Sequence, residues 1–298
     1  MKKIYIAGCG GMLGEAFYRQ FKDDYELKCT DKNVSNDWLN YLDFRDYQTY
    51  IKDVVSFNPD YLFHLGAITD LEYCELHPND AFNSNTIAVE SAVTIANSLN
   101  IPILYISTAG IFSGEKEYFD EWDLPIPTTV YGRSKYAGEQ YVIQNANKYF
   151  ICRAGWMMGG GSNKDKKFIQ KLMVQIKEGR KELFVVNDKE GTPTYTQDFA
   201  KNVKLLIEKD CTGLYNMVCN GQTDRLAVAI KLIEVLNLQN KIRVEAVSSS
   251  FFKNTYFVER PYSERLINRR LNILNLNIMR DWEVCLNEYM NPYYKNYL

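Results

Sequence analysis

An α/β fold built on a doubly wound parallel sheet, with a smaller C-terminal lid, is what the sequence predicts, and three observations predict it. Short apolar runs alternate with longer helix-periodic stretches through the first half, a glycine-rich turn follows the first such run, and the rhythm loosens after Trp156. Strands read at residues 3–6, 26–30, 61–64, 103–107 and 150–153, with helices near 12–21, 47–57, 80–99 and 131–145. Beyond them Gly159-Gly160-Gly161 opens a loop, 166–178 has helical periodicity, and 213–218 returns one more strand to the sheet. The expected division assigns 1–155 plus about 190–220 to the sheet domain, and about 156–189 and 221–298 to the lid. No Pro/Ser-rich linker or repeat separates them, so the two parts are expected to share an interface.

With 298 residues, 46% hydrophobic and 24% charged, the chain can bury a substantial core. A net charge of −2 supplies no clustered basic face, which argues against nucleic acid or an anionic membrane as partner. No stretch has the length and apolarity to span a bilayer. Met1-Lys2-Lys3 runs into an apolar segment that Gly8 ends too soon for a signal peptide, so a cytoplasmic location is expected. Seven cysteines without a C-x-x-C pair read as reduced core thiols. His64 and His77 without an H-E-x-x-H pattern make metal-free chemistry the expectation. A homodimer is compatible with all of this.

Gly8-Cys9-Gly10-Gly11-Met12-Leu13-Gly14 sits between a strand and a helix, the setting that dinucleotide binding requires. Glycines there permit a tight turn and let backbone N–H groups approach a pyrophosphate at the positive end of the helix. Glycines placed for helix packing alone are the competing reading. Asp31 ends the second strand, where a carboxylate accepts the adenine ribose hydroxyls and repels a 2′-phosphate. Because Cys9 stands where a basic residue would favour that phosphate, NADH is expected to be at least as acceptable as NADPH, although Lys32 softens this. A solvated strand-end aspartate is the plain alternative. Asp43-Phe44 either brings a carboxylate and a ring near the adenine, or Asp43 caps the helix beginning near Tyr47.

Tyr131-Gly132-Arg133-Ser134-Lys135 is Y-x-x-x-K, and helical residues four apart share a face. Hydride transfer to a ketone creates an alkoxide that needs a proton. A tyrosine can supply it if a nearby ammonium brings its pKa down from about 10, and Lys135 can also hold the nicotinamide ribose. Upstream, Ser107-Thr108 ends a strand at the crevice edge, where a hydroxyl can steady the carbonyl. A surface tyrosine–lysine pair and a threonine capping its own loop are the ordinary alternatives.

Together these residues resemble extended short-chain dehydrogenases/reductases with a Rossmann sheet, and more closely the dTDP-4-dehydrorhamnose reductase (RmlD-like) family. The resemblance runs through Asn58-Pro59-Asp60, His64-Leu65-Gly66-Ala67, Asn85, Ile106-Ser107-Thr108 and the stretch from Val130 to Glu139. It continues in Arg153-Ala154-Gly155-Trp156, Gly191-Thr192-Pro193-Thr194 with Asp198, Gly213-Leu214-Tyr215, Arg260-Pro261 and Trp282. It implies NAD(P)H-dependent reduction of the 4-keto group of a nucleotide-linked 6-deoxyhexose in polysaccharide biosynthesis. Thr108, Tyr131 and Lys135 are then catalytic; Leu65, Gly66, Ala67 and Asn85 join the glycine turn at the cofactor; Trp156 and Arg260 join Thr108 at the sugar.

Two departures stand out. The family usually continues its threonine with Asp-Tyr-Val-Phe, whereas Ala109-Gly110-Ile111-Phe112 follows here, leaving room for a different sugar. Lys166-Lys167 precedes Phe168 where the family tends to have asparagine; these ammonium groups either meet a substrate diphosphate or are solvated. Two other activities stay open: a nucleotide-sugar epimerase or dehydratase, and a non-catalytic subunit like the regulatory subunit of methionine adenosyltransferase. Dehydratases usually carry an acidic pair just after the threonine, and Ala109-Gly110 offers none.

Overall fold

The structure is a computed structural model that describes residues 1–294 and Tyr297. In the first half the strands are β1 (Lys3–Ala7), β2 (Glu26–Asp31), β3 (Leu39–Tyr41), β4 (Tyr61–His64), β5 (Ile103–Thr108) and β6 (Tyr149–Ala154). They are connected by α1 (Met12–Phe21), α2 (Tyr47–Phe57), α3 (Leu71–Leu76), α4 (Pro78–Phe82), α5 (Ala88–Ser98) and α6 (Val130–Asn145). The second half begins with β7 (Trp156–Met158), α7 (Gly161–Lys164), α8 (Phe168–Lys177), β8 (Glu182–Val186), β9 (Glu190–Gly191), β10 (Pro193–Tyr195) and α9 (Thr196–Glu208). It ends with β11 (Gly213–Asn216), β12 (Thr223–Asp224), α10 (Arg225–Val235), β13 (Arg243–Val247), β14 (Ser263–Glu264), α11 (Arg269–Ile273) and α12 (Trp282–Tyr294).

The central sheet is parallel, in the order β3-β2-β1-β4-β5-β6-β11. Its order reverses between β1 and β4, and the crevice beyond their carboxyl ends is where doubly wound sheets hold ligands. Helices cover both faces, so a strand such as β4, Tyr-Leu-Phe-His, is buried at every position. One face of α1 sets Phe17 edge-on to Phe63 at 5.7 Å and close to Phe199 of α9 at 6.4 Å. The Asn58-Pro59-Asp60 motif has a mechanical reason. Asn58 closes α2 in the left-handed region (φ 51°), and Asp60 accepts a hydrogen bond from the Lys3 N–H at 2.7 Å, fixing the start of β1.

The short β3 and α3 were not anticipated, and the helix expected over 80–99 is broken. After α4 the backbone widens into a π-turn at Asn83–Ile87 before α5 resumes. The widening aims Asn85 at the loop that leaves β4: its side-chain oxygen accepts from Ile68 N–H, and its amide donates to Ile68 carbonyl and Ser134 hydroxyl, all at 2.9–3.0 Å. Hydrophobic periodicity reports burial, not the extra residue in a turn.

Beyond β6 the smaller body is built from three short sheets, β10-β7, β12-β9-β14 and β13-β8, with α8, α10 and α12. Its apolar residues, among them Met158, Leu172, Leu232, Trp282 and Leu286, join one continuous core with Phe17, Phe63 and Phe150 of the sheet domain. No helix among the described residues is long and apolar enough to cross a membrane.

A buried ion pair ties α6 to the sheet: Arg153 on β6 donates to both carboxylate oxygens of Glu139 at 2.6 and 3.0 Å, and both side chains are almost fully buried. Glu139→Gln leaves the guanidinium without its counter-charge, so urea unfolding should show a loss of about 3–5 kcal/mol. A loss below about 1 kcal/mol would mean that the pair does not hold the helix.

Candidate active site

Three loops meet at the crevice: 8–14 after β1, 65–69 after β4 and 108–112 after β5. The first two touch backbone to backbone. Gly8 adopts φ +77°, and a β-carbon on it would lie 2.3 Å from the Gly66 backbone. Behind the turn, a β-carbon on Gly14 would lie 1.8 Å from the Cys9 carbonyl oxygen, so the start of α1 can approach only as glycine. Leu13 is buried beneath this turn, and Met12 is half-buried beside Gly160 of the lid. Gly11 is different: it is the exposed N-cap of α1, no side chain caps it, and nothing lies closer than 4.0 Å to an added β-carbon. Unclaimed N–H groups at the positive end of a ten-residue helix, beside open space, fit a dinucleotide pyrophosphate.

Asp31 is not simply solvated. Its carboxylate accepts from Gly10 N–H at 2.9 Å and Asn33 N–H at 2.8 Å, so it braces the glycine turn. Phe44 lies against Gly66, beside Leu65 and Ala67, with its edge toward His64 at 4.9 Å. Asp43 does not cap α2; Asp46 does, accepting from Thr49 N–H. Asp43 is instead gripped by Arg45 at 2.6–3.1 Å, which holds its carboxyl below the usual carboxylate range. Asn85 is fully buried and satisfied by protein groups, so it shapes the loop through residues 65–69 from behind.

The structure brings Thr108 and Tyr131 together. A β-carbon on Gly110 would stand 3.4 Å from the Tyr131 ring and 3.5 Å from Thr108 Oγ1, so both face one point. Thr108 Oγ1 also accepts from Gly110 N–H at 3.1 Å, so the loop-capping role is realised as well. Burial pushes the Tyr131 phenol up to about 12, the hydrogen bond with Thr108 pulls it back, and the Glu264 charge raises it further. Lys135 lies one turn along α6 from Tyr131. Its ammonium donates to the Ile106 carbonyl at 2.7 Å and lies 4.1 Å over the Tyr105 ring, and burial brings it down to about 7 against a partial rise from Glu139. Below them His64 is buried, held near 3 by burial first and the Lys135 charge second, and is neutral at any working pH.

On the lid side, Trp156 does not offer a bare ring to a sugar. The Arg225 guanidinium lies 3.8 Å over it, Gly191 is packed against it, and its Nε1 donates to Glu264 Oε2 at 2.8 Å. Arg260 is likewise engaged, forked onto Glu72 of α3 at 2.6 and 2.8 Å. Lys167 turns inward to the backbone and hydroxyl of Thr69 at 3.0 Å, while Lys166 is exposed. Two lid cations thus fasten onto the segment that follows β4. Arg225 and Glu264 had no motif to announce them; only their place at the starts of α10 and the end of β14 brings them to Trp156.

Residues 1–295 match the protein family described as RmlD substrate binding domain. The spore coat polysaccharide biosynthesis protein SpsK of Bacillus subtilis is 28% identical over 293 residues, 97% of each chain. A dTDP-4-dehydrorhamnose reductase structure from Yersinia enterocolitica superposes with a TM-score of 0.88 at 32% identity, covering 98% of this chain and 100% of that one. Another such reductase, from Bacillus anthracis in complex with NADP, gives 0.88 at 28% identity, over 98% and 99% of the two chains.

The burial of Lys135 has a measurable pH signature. Its folded pKa of about 7 lies below the ordinary 10.5, so between those values the unfolded chain holds the extra proton and stability rises with pH. Relative to Lys135→Met, which lacks this titration, the wild type should gain stability from pH 7 to pH 10 in chemical denaturation. A constant difference across that range would place the lysine in a polar, hydrated setting.

Proposed function

We propose, on the premise that this chain belongs to the RmlD substrate binding domain family, that it reduces the 4-keto group of a nucleotide-linked 6-deoxyhexose such as dTDP-4-dehydrorhamnose. The observation that carries this reading is the convergence of Thr108 Oγ1 and the Tyr131 phenol on one point at the carboxyl end of β5. A bound nicotinamide supplies the hydride. The Thr108 hydroxyl donates to the carbonyl oxygen and steadies it, and Tyr131 delivers the proton that the new alkoxide requires. With its phenol near 12, Tyr131 is fully protonated around neutrality, the form an acid needs. Lys135, packed between Tyr105 and the end of β5, holds the nicotinamide ribose; the first-turn N–H groups of α1 hold the pyrophosphate. Asp31, at the end of β2, receives the adenosine ribose and makes NADH at least as acceptable as NADPH.

The test is consumption of NADH or NADPH in the presence of dTDP-4-dehydrorhamnose. Tyr131→Phe should keep the fold and cofactor affinity while turnover falls by about two to four orders of magnitude, and Thr108→Val should cost about 1–3 kcal/mol of transition-state stabilisation. Near-normal turnover in Tyr131→Phe sinks the mechanism. Asp31→Asn, which keeps an acceptor for Gly10 N–H and removes the charge, should shift the ratio of NADPH to NADH affinity about tenfold towards NADPH. An unchanged ratio would confine Asp31 to bracing the turn.

A further inference from the structure

We propose that Glu264 is a substrate-positioning residue whose free carboxylate oxygen accepts a hydrogen bond from a hydroxyl of the sugar next to the reacting carbon. This rests on the reductase reading above and adds a specificity determinant from the lid. The point on which Thr108 and Tyr131 converge has a third neighbour: Glu264 Oε1 lies 3.5 Å from the position of a β-carbon on Gly110. The other oxygen, Oε2, is held by Trp156 Nε1 at 2.8 Å, which fixes the carboxylate and leaves Oε1 with no hydrogen bond to any described residue. Glycine at position 110 is not demanded by packing, because an added β-carbon would meet its neighbours at ordinary contact distances of 3.4–3.5 Å. The missing side chain leaves a methyl-sized gap bordered by the Tyr131 ring, the Thr108 hydroxyl and the Glu264 carboxylate. The charge of Glu264 is already felt at the Tyr131 phenol, which it raises. Arg225 stacks on the same Trp156 ring, and the Glu264 charge favours its protonated form against burial.

Because Glu264 Oε1 lies beside the point that Thr108 and Tyr131 face, the proposal assigns it to the sugar and not to the nucleotide. Titration calorimetry on NADP-loaded protein separates the two, with dTDP-rhamnose and dTDP as probes. Glu264→Gln retains a carbonyl oxygen for Trp156 and loses the charged acceptor. It should weaken dTDP-rhamnose about ten- to hundredfold, leave dTDP and NADP unchanged, and raise KM for dTDP-4-dehydrorhamnose with little change in kcat. Glu264→Asp keeps the charge but withdraws it by one methylene and should show the same pattern. Gly110→Ala, which the packing tolerates, should also weaken dTDP-rhamnose by filling the room. Equal affinities for dTDP-rhamnose in wild type and Glu264→Gln, or equal losses for dTDP and dTDP-rhamnose, overturn the proposal while wild-type turnover leaves the reductase reading standing. Glu264-dependent dTDP-rhamnose binding without any turnover overturns the reductase reading alone, and a wild type that binds no dTDP-rhamnose overturns both.

Discussion

The close docking of α6 on the edge of the sheet is the constraint on which the site depends. Tyr131 and Lys135 can reach the carboxyl end of β5 only if their helix approaches to backbone distance, and several contacts enforce it. A β-carbon on Gly138 would lie 2.4 Å from the Asn85 carbonyl oxygen, so the helix and the π-turn touch without intervening side chains. Tyr105 donates to the Lys135 carbonyl at 2.9 Å, taking up a helix acceptor from β5. The Glu139–Arg153 pair, one turn further along, locks rotation about the helix axis. Burying two charges is costly, and an apolar pair of similar volume could match its stability. What an apolar pair lacks is the fork geometry that sets one azimuth, which Tyr131 needs to face Thr108.

The same docking explains the electrostatics. Lys135 is almost fully buried and Tyr131 half-buried, and desolvation drives each towards its neutral form, the phenol upward and the ammonium downward. For the phenol desolvation is the largest influence, while one N–H of the Lys135 ammonium is taken by the Ile106 carbonyl. A neutral phenol suits proton delivery in a reduction.

Much of this was legible in the sequence. Strands β1, β4, β5 and β6 are short, largely apolar runs buried on both faces, while β2, Glu-Leu-Lys-Cys-Thr-Asp, is read from its place after α1. Thr108, Tyr131 and Lys135 could be named from a strand end and a Y-x-x-x-K spacing together with the family resemblance. What could not be read depends on long-range approach. The π-turn at Asn83–Ile87 arises because Asn85 must reach Ile68 and Ser134. The stacking of Arg225 on Trp156 and the fork of Arg260 on Glu72 could not be read either, because those partners lie far apart along the chain.

The lid does more than cover the crevice. Lys167 and Arg260 grip Thr69 and Glu72, in the segment that continues the cofactor loop after β4. Through Asn85 and Ile68 that segment is fastened to α6, the helix carrying Tyr131 and Lys135. The smaller body, the loop after β4 and α6 are therefore one hydrogen-bonded unit, and the shared apolar core beneath leaves little freedom for any part to shift alone. Such a frame favours specificity set by side chains at its inner surface over specificity set by closure. On the proposed reading, variation at positions 110 and 264, beside the point that Thr108 and Tyr131 face, can then change the sugar accepted while the fold stays in place.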